Sequence, residues 1–191
     1  MKVVGICGSL RRNGLSEHIL GDILGALAAA GHQTQSIFIA GEDIRGCVAC
    51  LACEKTGKCI QAPDRTDEIL NTVIPSADFI VVSSPIYFTG VPWKLKALID
   101  RVQVYWARRA KLGGASPAKG VSAVVLVGGS SPEKHFDGPA RVIRSALKEL
   151  GFPCKWLGVF PQAETRSAED ARYFAENAAA EILALAQKGG R

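Results

Sequence analysis

Val3-Val4-Gly5-Ile6-Cys7 runs directly into Gly8-Ser9-Leu10-Arg11-Arg12-Asn13-Gly14-Leu15-Ser16, after which Leu15, Ile19, Ile23, Leu24 and Leu27 keep one apolar face. A short aliphatic run, a polar turn containing glycines and an amphipathic stretch predict a strand, a loop and a helix. The loop is neither a dinucleotide fingerprint nor a Walker loop, since it lacks both G-x-G-x-x-G and G-K-S/T. It still has what an anion needs. Ser9 and Ser16 offer hydroxyls, Arg11 or Arg12 a charged fork, and the helix start its free N–H groups.

The same grammar repeats to the far end of the chain. Further apolar runs stand at Gln35–Ala40, Phe79–Ser84, Ser122–Gly128 and Cys154–Phe160. Each is short and lacks clean polar alternation, as expected of parallel strands buried on both faces. Gly31 sits where the first helix needs a C-terminal cap, and Gly151 closes a helix carrying Val142, Ile143, Ala146, Leu147 and Leu150. Pro92 opens another, with Leu95, Leu98, Ile99, Val102 and Trp106 on one stripe. Ser167 and Asp170 resemble a capping box before the last helix, and a shorter helix is expected over Thr66–Ile74. Five strands alternating with helices predict an α/β fold, a doubly wound five-stranded parallel sheet in the flavodoxin-like order 2-1-3-4-5. The 191 residues read as one domain, 1–191. About 25 residues from Gly41 to Arg65 lack obvious regular structure and form an excursion after strand two.

Composition narrows the function classes. Hydrophobic residues at 48% and charged residues at 21% suit a globular α/β chain. The net charge of +5 is scattered. Its densest group, Arg101, Arg108, Arg109 and Lys111, lacks a platform of stacking aromatics, so it reads as a solvated helix face and no nucleic-acid partner is expected. Asp100 and Arg101 read as a structural ion pair or an interface contact. No run approaches the length of a membrane span and the chain enters a strand at once, so a cytoplasmic setting without membrane contact is expected. Six cysteines without export features point to metal or redox chemistry rather than a disulfide scaffold. Cys7 and Cys154 fall in strands and read as core residues.

Two more loops leave the same sheet edge as the first. Ser83-Ser84-Pro85-Ile86-Tyr87-Phe88-Thr89-Gly90-Val91-Pro92-Trp93 follows strand three, the neighbour of strand one, at the topological switch point where ligands bind. Ile, Tyr and Phe in succession at a loop tip suit the cover of a flat apolar ring such as a flavin; the alternative is that Tyr87 and Phe88 pack on the next helix. Gly128-Gly129-Ser130-Ser131-Pro132 ends strand four, and its glycines allow a close backbone approach.

The remaining four cysteines, Cys47, Cys50, Cys53 and Cys59, form a C-x2-C-x2-C-x5-C array inside the excursion. Three cysteines in one short run look like ferredoxin ligation of a [4Fe–4S] cluster. Zinc also takes four thiolates, but usually from two C-x2-C knuckles further apart. Free or redox-active thiols are the third reading.

The segments GSLRRNG…S, SSPIYFTGVPWKLKALIDR and VLVGGSS, in this order, resemble the NADPH-dependent FMN reductase superfamily along essentially the whole chain. The resemblance implies that Ser9, Arg11, Asn13 and Ser16 hold the FMN phosphate. It implies that Pro85, Ile86, Tyr87, Phe88 and Gly90 border the isoalloxazine and that Gly128, Gly129 and Ser130 close over it. The cysteine array after strand two resembles the iron–sulfur flavoprotein branch, whose members carry one FMN and one [4Fe–4S] cluster per subunit and assemble as homodimers or homotetramers. The implied function is electron transfer by an oxidoreductase, with a ferredoxin-like carrier or NAD(P)H on one side and a small oxidant or quinone on the other. The alternatives are a cluster-free NAD(P)H-dependent FMN or quinone reductase and a redox-sensing or zinc-binding module.

Overall fold

Branched aliphatic side chains fill both faces of the central strands, which is why their sequences show no polar alternation. The computed structural model describes residues 1–115, 120–129 and 132–189. In it β1 (Lys2–Cys7), β2 (Gln33–Phe38), β3 (Phe79–Pro85), β4 (Val121–Val127) and β5 (Cys154–Phe160) pair in parallel. Their order is β2-β1-β3-β4-β5, the expected one. The two-residue strand period sends Val4, Ile6, Ile80, Val82, Val124 and Leu126 into one core. It sends Val3, Cys7, Phe79, Val81, Ala123 and Val125 into the other.

Helices α1 (Leu15–Ala29) and α7 (Ala168–Gly189) cover the second of these faces. Ile19, Ile23 and Leu27 of α1 are wholly buried there, each stabilising the fold by roughly 1.5–3 kcal/mol. Gly31 caps α1 at φ +86°, its N–H donating to Ala28 O while the His32 N–H donates to Leu27 O. A side chain resists that backbone and glycine does not. The capping box before α7 is formed: the Asp170 N–H donates to Ser167 Oγ and the Ser167 N–H to Asp170 Oδ2.

The opposite face carries the pieces that matter for function. A short helix inside the excursion, α2 (Ala52–Thr56), precedes α3 (Arg65–Glu68), which continues through a wider turn at Ile69–Val73 and a tight one at Ile74–Ser76. Then come α4 (Trp93–Arg101), α5 (Gln103–Leu112) and, after a tight turn at Glu133–Phe136, α6 (Asp137–Glu149). Two expectations change. The stripe read as one helix from Pro92 to Trp106 belongs to α4 and α5, which meet at Val102. The excursion holds α2, a helix of five residues, too short for a 3.6-residue period to show in sequence. Among the described residues no helix is long and apolar enough to cross a membrane.

Candidate functional site

The loops after β1, β3 and β4 rise side by side because their strands are neighbours. Backbone bonds stitch the rim together. Gly8 N donates to Ser83 O at 2.7 Å, Ile86 N to Val127 O at 2.9 Å and Gly128 N to Phe160 O at 3.0 Å. The buried Ser83 hydroxyl donates to Ser16 O at 2.8 Å, tying the base of the first loop to β3.

In the first loop Ser9 Oγ accepts from Arg11 N at 3.1 Å, which fixes the turn. Asn13 takes φ +54°, a backbone asparagine tolerates well. The N-cap of α1 is Gly14, and among the described residues no side chain caps it. The first N–H groups of α1 therefore have no side-chain acceptor of their own, as an incoming phosphate requires. The structure also separates the two arginines. Arg12 pairs with Glu17 at 3.1 Å and stacks on Phe38, 3.8 Å from the ring centre. Arg11 is exposed and has no acid partner among the described residues, so its guanidinium is the one left for an anion. Glu17, whose Oε2 accepts from Asn13 N at 2.6 Å, was missed in the sequence. An acid in the first helical turn is a known cap signal that should have singled it out.

The second loop is a tight hairpin turn. Tyr87 and Gly90 exchange N–H···O bonds of 3.0 and 2.9 Å, with Phe88 and Thr89 between them at φ +49° and +57°. Non-glycine residues, and a β-branched one above all, resist that region. Ile86 packs on the core, Tyr87 is 45% exposed and Phe88 is 104% exposed. Phe88 therefore does not pack on the following helix, which removes the bland alternative for it. Gly138 at the start of α6 is a second residue missed in sequence: an added Cβ would run into the Thr89 carbonyl oxygen, so glycine lets the turn lie against α6. In the third loop Gly128 is buried and its carbonyl accepts from Ala163 N at 2.9 Å. Gly129 lies against the Glu164 carboxylate. Ser130 lies outside the described residues.

The cysteines form a second region. The excursion descends along α4, from Lys94 Nζ donating to Ala40 O at 2.8 Å to Arg101 Nη1 donating to Arg45 O at 3.1 Å. Gln61 Nε2 closes it on Gly46 O at 2.6 Å, and Arg108 Nε on α5 holds Gly57 O at 2.6 Å. Below lies a buried ion pair, Arg101 with Asp64, at 2.8 and 3.2 Å, the side chains 2% and 1% exposed. The expectation that Arg101 lies on a solvated basic face with Arg108, Arg109 and Lys111 is therefore wrong for Arg101, which is buried. It is a structural ion pair as read, but with Asp64 rather than Asp100, which pairs with Lys96. Burial works to raise the Asp64 carboxyl, yet the Arg101 fork and the Asp67 N–H hold it below its usual value.

Cys47, Cys50, Cys53 and Cys59 all line one small hollow of about 30 Å³, together with Val48, Leu51, Val104 and Arg101. Ala49 and Leu51 take φ +52° and +59°, and the Ala49 N–H donates to Cys47 Sγ at 3.4 Å. Burial first, and then the other three thiols, push the Cys53 thiol up, so four thiolates there need a cation between them. Soft donors, apolar walls and an N–H···S bond fit an iron–sulfur cluster. Among the described residues no group of three or more His, Cys, Asp or Glu side chains stands close enough together to hold a metal ion. Cys7, by contrast, is a core thiol pushed up to about 11 by burial.

The NADPH-dependent FMN reductase family matches residues 1–152. An iron–sulfur flavoprotein of Methanocaldococcus jannaschii is 34% identical over 160 residues, 72% of this chain and 81% of that protein. One from Archaeoglobus fulgidus is 30% identical over 84% of this chain and 70% of its own length. In structure, an FMN-dependent NADH-azoreductase from Bacillus anthracis superposes with a TM-score of 0.66 at 13% identity, over 95% of this chain and 98% of that one, a likeness of fold alone. The rim that could seat a flavin and the four gathered cysteines thus sit on a chain that belongs to the NADPH-dependent FMN reductase family, in its iron–sulfur flavoprotein branch.

Proposed function

We propose that this flavoprotein transfers electrons between an FMN on the rim and a [4Fe–4S] cluster in the excursion. Ser9, Arg11, Asn13 and Ser16, with the open start of α1, hold the phosphate. Pro85, Ile86, Tyr87, Phe88 and Gly90 border the ring, and Gly128, Gly129 and Ser130 close over it. Cys47, Cys50, Cys53 and Cys59 hold the cluster. When bound, FMN can take one or two electrons and the cluster passes one at a time, so the chain converts between two-electron and one-electron partners. The protein's own part is spacing, orientation and shielding. A ferredoxin-like carrier or NAD(P)H serves as donor and a small oxidant or quinone as acceptor, in a cytoplasmic homodimer or homotetramer.

The observation that carries this reading is the gathering of all four thiols around one hollow. Iron, sulfide and FMN analysis of anaerobically purified protein tests it. The expected result is about four iron and four sulfide per chain together with FMN, and a Cys50→Ala variant that loses iron while keeping the flavin. Protein that binds FMN and turns over NADPH without iron would instead establish the cluster-free reductase, a reading the family's NADPH-dependent description favours.

A further inference from the structure

Arg101 is buried, yet only part of its guanidinium is spent. Nη1 donates to Arg45 O and to Asp64 Oδ2, and Nη2 donates to Asp64 Oδ1. The Nε–H has no acceptor. Among the described residues it and Thr66 Oγ1 are the buried side-chain polar atoms without a hydrogen-bond partner. A buried donor on a charged group loses its full hydration unless something accepts from it, so an orphan of this kind marks a missing partner. Its surroundings indicate which partner. Arg101, Cys59 and Val104 form the wall between the thiol hollow and a wider cavity of about 440 Å³ that also meets Lys58, Tyr105 and Arg108.

We propose that Arg101 is a positioning residue for the cluster, its Nε–H donating to the sulfur shell at Cys59 and raising the cluster's reduction potential, with Asp64 opposing that effect. The inference rests on the proposed cluster. Sulfur accepts more strongly when the cluster is reduced and more negative, so a fixed N–H donor favours the reduced form. The Asp64 carboxylate cancels most of the guanidinium's charge, and removing its charge leaves Arg101 uncompensated beside the cluster.

Two variants separate these contributions. Arg101→Lys keeps a cation opposite Asp64 but has no Nε–H. Asp64→Asn keeps the arginine and an oxygen able to accept from the Asp67 N–H at the start of α3. Each is purified anaerobically, assayed for iron and sulfide, and titrated with the cluster followed by electron paramagnetic resonance. At a fixed ambient potential the reduced-to-oxidised ratio falls about tenfold in Arg101→Lys, 59 mV for a one-electron couple, and rises in Asp64→Asn. A purely structural pair would change stability in both variants without moving their potentials apart. Iron-replete variants with unchanged potentials, or with shifts of the same sign, overturn the inference and leave the cluster intact. If Arg101→Lys does not fold, Asp64→Asn decides alone: a raised potential supports the inference, an unchanged or lowered one overturns it. Iron-free wild-type protein sinks the cluster reading itself, and this inference with it.

Discussion

The rim and the excursion are fastened by different parts of the chain. Across the rim, strand-end backbone groups bond to one another, from Gly8 and Ser83 to Gly128 and Phe160. Across the excursion, long side chains on α4 and α5 reach out to backbone carbonyls: Lys94 to Ala40, Arg101 to Arg45 and Arg108 to Gly57. The rim is an extension of the sheet and keeps its shape as long as the sheet does. The excursion depends on a handful of polar anchors and on a small apolar cluster of Cys53, Val104 and Ala107. Helix α4 separates them: a helix of nine residues, about 13 Å long, it starts beside the second rim loop and ends at the thiol hollow. Each region should therefore be open to damage without the other.

The largest expected effect tests that independence at the buried ion pair. Asp64→Ala strands the Arg101 charge, and breaking such a pair costs about 3–5 kcal/mol. Hydrogen exchange should show the amides of the 41–65 segment opening while those of β1, β3 and the first rim loop stay protected. Equal loss of protection in both regions would break the comparison. The pair also sets a pH window. Because the folded Asp64 carboxyl is held below its usual value, its stabilisation is complete above about pH 3.9, the ordinary carboxylate value. It is lost as the pH falls through the lowered folded value. An acid titration followed by exchange at the excursion should show this loss in the wild type and not in Asp64→Ala.

The next effect belongs to the rim. Arg11→Ala removes a charge-assisted contact worth about 1.5–3 kcal/mol, which corresponds to FMN binding roughly 10- to 100-fold weaker. Arg12→Ala should do much less, because Arg12 is already spent on Glu17 and Phe38. Flavin fluorescence titration measures both, and iron content should be the same in each variant. Equal losses of affinity would refute the assignment of the phosphate to Arg11.

The two regions also differ in how much the sequence discloses. Strand order, the three rim loops and the caps at Gly31 and Ser167 follow from local patterns: aliphatic runs, turn residues, a serine and an acid three apart. The cysteine array was equally plain as a list of donors. What holds it was hidden, because Arg101 looks like any basic residue on a helix until Asp64, 37 positions away, closes on it. Gln61 on Gly46 and Arg108 on Gly57 are likewise contacts between distant segments with no period or motif to announce them. The division of α4 from α5 at Val102 escaped for a related reason. The apolar stripe runs through the junction unbroken, so periodicity alone reports one helix.

The smallest effect concerns strain at the rim. Phe88 and Thr89 occupy the two central positions of a tight hairpin turn, both at positive φ, where a side chain costs roughly 1–2 kcal/mol. Asn-Gly is the pair such a turn favours, so Phe88→Asn with Thr89→Gly should stabilise the protein by about 1–2 kcal/mol and raise its melting temperature by a few degrees. If the strain serves only the fold, FMN affinity should be unchanged or improved by the calmer turn. If Phe88 is held out, fully exposed, to cover the ring, the doubly substituted protein melts later and binds FMN more weakly. Thr89→Gly alone then retains the affinity, since it relaxes the backbone and spares the aromatic. A double variant that melts later and binds FMN as well as wild type would remove Phe88 from the site and leave the strain without a purpose at the flavin.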